Sequence, residues 1–547
     1  MHPCLLVDEI FCHIADSAKR GRKGDVYRLA LTCKAFTESA LDILWREIDT
    51  LMNLMFLLPP DLWYGDDVLG QPEISCMTRE TIASDWTRFL VHARRVKEFT
   101  YDSDSELFDT VLRPPWNNTF DEHTVLCHLH EQCPEPYMLP TLSILSWNNN
   151  VKSIHMFICP TLRNLCLHSS TAYPGVVELL EANAPIVTSL KLNGRRAPSA
   201  METDATLIDA LSLAIVRMDR LTSFDCNLRI RPSALLHLSR LPMLHRLLFP
   251  FDSADYNAFI SAVSTPFFPG LTELLILPSE STLLCSLLKG VSSTQLEWVC
   301  WEITDTHPHS ILDVAAILAT HPSRHALKRV FISAQWDVVL GGLPPGLITL
   351  HTFEALLALT NLNYLDLRLS WLSIGNEDVG EIARSLPRLT DLNLGASNGI
   401  ILPPRITLRA LLLLFQHCPL QSLGIVVDAS HNVPEEEFNL PLTRTDTLIH
   451  NGRQLRRLDF GNSRIGPTKI APITTFLSGL VPRLTTLTAW RRYVADIFPD
   501  PVPRPSSSPA MWKQVADMYE QLTLHEQPAA SDSWQGFNVV RREQHSE

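Results

Sequence analysis

The amino-acid sequence predicts an α/β solenoid, parallel strands alternating with helices, behind a small all-α unit at the N-terminus. Two observations carry the prediction. A six-residue phrase, apolar-x-x-apolar-x-apolar, returns along residues 96–498 with helical apolar stripes between its copies. The first fifty residues hold three helical stripes instead. Length agrees, because 547 residues are several times the ~150 expected of one domain.

Composition narrows the class. Hydrophobic residues make up 46 %, too many for a disordered chain. Proline is frequent (38) and glycine scarce (21), which excludes collagen and glycine-rich linkers and suggests many short elements ended by proline. Lys+Arg 46 against Asp+Glu 59 leaves −13, so neither nucleic acid nor an anionic membrane is an expected partner. No charge-free apolar run nears the ~18 residues of a membrane span. MHPCLLVDEIF places Asp8 and Glu9 where a secretory signal would be apolar. The 12 cysteines form no CxxC pair and read as reduced thiols, so the sequon at Asn117 reads as a chance match. The expected location is intracellular, cytoplasmic and/or nuclear.

The repeats come first in weight. Copies start at Leu142, Leu162, Val187, Leu221, Leu244, Leu271, Leu296, Leu327, Leu362, Leu389, Leu420, Leu455 and Leu484, with an earlier one at Val96. From Leu142 to Leu484 the spacing averages about 28.5 residues, a period that fits strand-plus-helix repeats. The fourth and sixth positions alternate with variable ones, as in a strand with one buried face. Ala234, Leu235, Leu238 and Leu241 show the helical spacing between strands. Parallel strands joined by helices then line a concave side, with helices on the convex side.

The flanking segments follow the same logic. In residues 1–50, Leu6, Ile10 and Ile14 make one stripe, Val26, Leu29, Ala30 and Cys33 a second, and Leu41, Leu44 and Ile48 a third. Such a unit is marginal alone and leans on a neighbour or partner. Residues 51–95 are a helical connector, with Ile82, Trp86, Phe89, Leu90 and Ala93 at helical spacing. The solenoid spans 96–498, and 499–509 is a Pro-rich linker. In 510–547, a terminal helix presents Met511, Trp512, Val515, Met518, Tyr519 and Leu522 on one face.

These residues carry a resemblance. The array resembles a leucine-rich-repeat horseshoe of the longer, helical kind, although the asparagine often found after the strand is mostly missing, with Ser170, Asp428 and Ser463 near that place. The N-terminal segment resembles an F-box. Leu6, Glu9, Ile10 and Ile14 match its start, Asp25, Arg28, Leu29, Ala30, Leu31 and Cys33 its middle, and Leu44, Trp45, Arg46 and Glu47 its end. Val7, Thr32 and Phe36 depart from the usual proline, valine and tryptophan, and AKRGRKG lengthens the first loop.

With TCKAF, ALDILW, LPPDLW and the LSW of Leu145–Trp147, the whole chain resembles the fungal F-box family with leucine-rich-repeat tails. The resemblance implies a non-catalytic substrate receptor of an SCF-type cullin-RING ubiquitin ligase. A Skp-type adaptor, hung from a cullin scaffold, would dock on Leu6, Glu9, Ile10, Ile14, Leu29, Leu31, Cys33, Leu44 and Trp45. The repeats would hold the protein substrate. Read without the resemblance, the helices are a cap for the first repeat and the chain a non-ligase protein-interaction scaffold.

Chemistry is sparse. HExxH, GxSxG and GxGxxG are missing from the sequence. GNSRIGPTK at Gly461 has Pro467 where a phosphate-binding lysine belongs, and reads as a repeat turn. His123, Cys127 and His130 share helical spacing, without a partner pair at zinc-finger distance. Lys19–Lys23 (KRGRK) and Glu435–Glu437 read as solvated loops. No enzyme, cofactor or metal is expected.

The substrate surface follows from counting. Positions three, five and seven of each phrase face the concave side. The fifth position is polar toward both ends, but reads Leu248, Leu275, Cys300 and Phe331 in the middle. The third adds Trp298 and Tyr364, with Arg246, Glu273 and Arg329 beside them. An aromatic strip rimmed by charge is the expected protein-binding hot spot.

Overall fold

The computed structural model describes residues 8–21, 23–64, 67–68, 71–72, 76–77, 79–102, 122–148, 151–169, 180, 186–194, 205–250, 253–263, 266–303, 308–334, 346–429, 450–490 and 508–524. Leu6, Asn117, Ser170, Glu435–Glu437 and the expected linker up to residue 507 lie outside the described residues. The chain divides into two compact units, Met1–Leu244 and His245–Glu547.

The first unit opens with α1 (Asp8–Gly21), α2 (Lys23–Thr32) and α3 (Lys34–Trp45). Six parallel strands follow in chain order: β1 (Glu47–Ile48), β2 (Glu98–Asp102), β3 (Ile144–Asn148), β4 (Asn164–Ser169), β5 (Ser189–Gly194) and β6 (Ser223–Cys226). The second unit carries nine, again parallel and in order. They are β7 (Arg246–Phe249), β8 (Glu273–Ser279), β9 (Trp298–Ile303), β10 (Arg329–Ala334), β11 (Tyr364–Arg368), β12 (Asp391–Leu394), β13 (Ser422–Ile425), β14 (Arg457–Asp459) and β15 (Thr486–Thr488). Every copy of the phrase holds one of these strands, beginning at its third position. No described helix is long and apolar enough to cross a membrane.

Alternation explains the core. In β9, Val299, Trp301 and Ile303 are buried while Trp298, Cys300 and Glu302 are half-buried. Leu283, Leu284, Leu287 and Leu288 of the helix Ser281–Gly290 are buried in turn. That helix ends on glycine for a steric reason: a Cβ at Gly290 would stand 2.2 Å from the Phe267 ring.

A second repeat signal sits at the phrase's second position, which the sequence presents as variable. Threonine there donates its hydroxyl to the second-position carbonyl of the preceding repeat. In the first unit Thr188 reaches Arg163 O (3.3 Å) and Thr222 reaches Thr188 O (3.1 Å). In the second unit Thr272 reaches His245 O (3.0 Å), Thr390 reaches Asn363 O (3.0 Å) and Thr485 reaches Arg456 O (2.9 Å). Each bond ties neighbouring repeats at the point where the chain enters the sheet.

Several expected faces are corrected. On α1 the buried residues are Phe11 and Ala15, while Ile14 is 42 % exposed. The α3 face turned inward is Phe36, Ala40 and Ile43, and Phe11 stacks on Phe36 at 4.5 Å. The connector helix starts only at Trp86, because the Asp85 carboxylate accepts the Ile82 N–H (2.9 Å) and an Arg79 N–H (2.7 Å) and fixes a turn there. Ile82 is therefore exposed rather than part of the stripe. The terminal helix runs Ser508–Leu524, starting two residues inside the expected linker. It buries Met511, Trp512, Val515, Ala516 and Tyr519, but leaves Leu522 exposed.

Where the repeat asparagine is missing, Ser463 is fully buried and does similar work. Its hydroxyl accepts the Val427 N–H at 2.7 Å and donates to Phe460 O.

Candidate functional site

Two surfaces qualify, one in each unit. In the first, α1, α2 and α3 close on Phe11, Ala15, Val26, Ala30, Phe36, Ala40 and Ile43, with Leu29, Cys33 and Leu44 packed against that core half-buried. Ile14 and Leu31, at 42 % and 68 % exposed, remain on the outside. Tyr27 is 56 % exposed, and its i, i+4 spacing to Leu31 puts both on one face of α2. Tyr27 escaped the sequence reading because no apolar stripe includes it. Leu6 and the side chains of Glu9 and Ile10 lie outside the described residues. Trp45 is half-buried, its ring centroid 4.7 Å from that of His92 in the connector helix.

The helical unit is held in place by backbone and charge. The Lys97 and Glu98 N–H groups both donate to Arg46 O (2.9 Å each), so β1 joins β2 as the first strand of this sheet. A two-residue strand is too short to show a period, and the sequence reading missed it. The Arg95 guanidinium bridges Glu38 and Asp42 of α3, and its hydrogen bond and charge hold the Glu38 carboxyl below the usual carboxylate range.

In the second unit, strand register aligns the counted positions into rows. Leu248, Leu275, Cys300, Phe331, Asp366, Asn393, Gly424, Asp459 and Thr488 are successive partners across the sheet. Arg246, Glu273, Trp298, Arg329, Tyr364, Asp391, Ser422, Arg457 and Thr486 form the row beside them.

The apolar strip is less open than counting suggests. Leu275 is buried, and Leu248, Cys300 and Phe331 are half-buried. Guanidinium groups spread over the aromatic rings: Arg329 lies 4.5 Å and Arg246 5.4 Å from the Trp298 ring centroid, and Arg368 4.7 Å from that of Phe331. Glu273 pairs with Arg246 and, at 3.5 Å, with Arg329. The result is a floor of apolar side chains under a layer of arginines attracted to the ring faces by cation–π interaction. Burial pushes the Cys300 thiol up to about 12, so it stays protonated and non-nucleophilic.

Beyond Phe331 the face turns polar. Asp366 is 4 % exposed, and its Oδ2 accepts from Tyr364 Oη (3.0 Å) and Arg368 Nε (3.2 Å). Burial dominates and raises the Asp366 carboxyl above the usual range, against the opposing pull of Arg368. An acid with a raised folded-state pKa binds its proton more tightly folded than unfolded, so its ionisation costs stability as pH rises through that pKa. Asp366→Asn is therefore expected to leave the melting temperature unchanged or higher at pH 7, with the gain shrinking toward pH 4. A lower melting temperature at pH 7 than at pH 4, relative to the parent, would contradict this.

Other clusters are weaker. On the first unit's sheet, Cys166 Sγ stands 2.9 Å from His168 Nε2, and the His168 Nδ1 is 3.5 Å from the Asn193 amide. Burial pushes this thiol up as well, so the contact reads as a thiol donating to imidazole. Among the described residues no three His, Cys, Asp or Glu side chains converge as metal ligands; the His123 side chain lies outside them. Compared with protein-family models and with curated proteins, the chain matches none.

Proposed function

We propose that the chain is the substrate-receptor subunit of an SCF-type cullin-RING ubiquitin ligase, itself non-catalytic. In this reading α1–α3 are an F-box that docks a Skp-type adaptor on a cullin scaffold, and the strand–helix stacks are leucine-rich repeats that hold a protein substrate. The observation that carries it is a helical unit whose own core is closed, yet which keeps Ile14, Tyr27 and Leu31 exposed while its last residues are hydrogen-bonded into the sheet. A simple cap would spend its apolar surface on the repeats. This unit keeps some for a partner.

The test is co-purification with a Skp-type adaptor. Covering a large apolar side chain stabilises by roughly 1.5–3 kcal/mol, so Ile14→Asp with Leu31→Asp is expected to weaken adaptor binding by far more than tenfold. Both side chains are exposed, so the melting temperature should hold. Adaptor capture undiminished by the double substitution removes this face from the proposal; no capture by the parent chain leaves the repeats as a scaffold.

A further inference from the structure

Three strands of the first unit bring unlike polar groups to one sulfur. Cys166 lies on β4 between two register partners, Ser146 of β3 and Lys191 of β5. Two residues along β4, on the same face, His168 sets its Nε2 2.9 Å from the Cys166 Sγ. The Asn193 amide of β5, the register partner of His168, stands 3.5 Å from the other ring nitrogen, Nδ1. A carboxamide has a donor end and an acceptor end, so it serves either imidazole tautomer. All five side chains are half-buried.

We propose that Cys166 is a site of covalent modification by small α,β-unsaturated carbonyl compounds, with His168 as the base that activates its thiol. The proposal is independent of the adaptor and substrate readings.

The thiol does not act alone. A nucleophile, a base in hydrogen-bond contact with it and a polar group on the far side of that base are the parts of an activated thiol. Lys191 and the Ser146 hydroxyl both favour negative charge on the sulfur, while Asp225 of β6 opposes it. Burial outweighs them and holds the thiol protonated at rest. Attack therefore requires the proton to leave through His168.

That resting state selects the electrophile. In addition to a conjugated carbonyl, the Sγ lone pair forms a bond to the β-carbon, and the C=C π pair shifts toward the α-carbon and the carbonyl oxygen. The thiol proton passes to His168 Nε2 and then to the α-carbon. Nothing is oxidised and nothing leaves, so the thiol and imidazole supply every proton the step needs. The positive charge of Lys191, one strand over, offsets the transient negative charge.

Cys300 provides the comparison. It holds the same fifth position of its repeat, is also half-buried, and has its thiol pushed up by burial as well. The charges acting on it are those of Glu302, Arg368, Asp366 and Arg246, none of them an imidazole.

The experiment treats the full, folded chain with acrylamide from about pH 5.5 to about pH 8.5, a range that spans imidazole titration. Mass spectrometry of the digested chain follows each cysteine separately. At about pH 7.5, Cys166 is expected to react at least roughly tenfold faster than Cys300. Its rate should rise and then level off as the imidazole loses its proton. The Cys300 rate should instead climb about tenfold per pH unit with its thiolate fraction. His168→Gln should slow Cys166 at least roughly tenfold and give it the climbing profile. Equal rates at the two cysteines, or a parent Cys166 rate that climbs throughout, would overturn the proposal. So would a folded His168→Gln chain that reacts as fast as the parent. The comparison of the two cysteines uses the parent chain, so it decides even if the variant misfolds.

Discussion

Trp147→Ala is expected to destabilise the first unit by roughly 3–5 kcal/mol. The indole is 2 % exposed and stacks on Tyr101 at 4.6 Å, with Phe157 at 5.4 Å and Phe99 at 6.1 Å. Phe99 and Phe157 also meet each other at 5.2 Å. Three rings around one indole leave little room for collapse, so truncation opens a cavity and removes several aromatic contacts together. Phe99 belongs to β2, the strand that receives β1, so the loss should also loosen the helical unit. Urea unfolding with Trp147→Phe as the conservative control measures it. A loss below 1 kcal/mol for the alanine variant would show that the cluster repacks.

The second large effect is expected at the other end of the chain, from Trp512→Ala, again roughly 3–5 kcal/mol. Trp512 is fully buried, stacks on Phe460 at 4.4 Å and donates its indole N–H to Ser463 O at 3.0 Å. One helical turn pair further on, the Tyr519 hydroxyl accepts the Leu484 N–H (3.2 Å) and donates to Val481 O. The terminal helix thus satisfies backbone groups of the last repeat as well as covering its apolar end, which is what a stacked array requires of a cap. The variant should melt earlier and aggregate on heating. An unchanged melting temperature would reduce the helix to an ornament.

The fold was legible because its main signal is local. Period-two alternation within six residues places Val299 and Trp301 in the core and Trp298 and Cys300 outside it, and the strand register keeps that order. What stayed hidden depends on groups that meet only after folding. The threonine hydroxyls bond across a whole repeat, so their position looks variable in one phrase read alone. The stripe on α1 was taken from the aliphatic spacing of Ile14, whereas the Phe11–Phe36 stack decides which face turns inward.

At the candidate surfaces, counting brought Leu248, Leu275, Cys300 and Phe331 into one row. It missed the arginine layer, because long side chains reach along a row to another strand, as Arg329 does to Trp298, or across to the neighbouring row, as Arg368 does to Phe331.

The strand Glu47–Ile48 also sets which mutations this junction tolerates. Its pairing runs through Arg46 O and backbone N–H groups, and peptide groups are indifferent to the side chains they carry. Substitutions other than proline at residues 46–48 and 97–98 should therefore be permitted as far as the seam's hydrogen bonds are concerned. Insertions and deletions should not, since a slip of one residue reverses every side chain of a strand. Variation across this seam should accumulate as changes of letter at constant length.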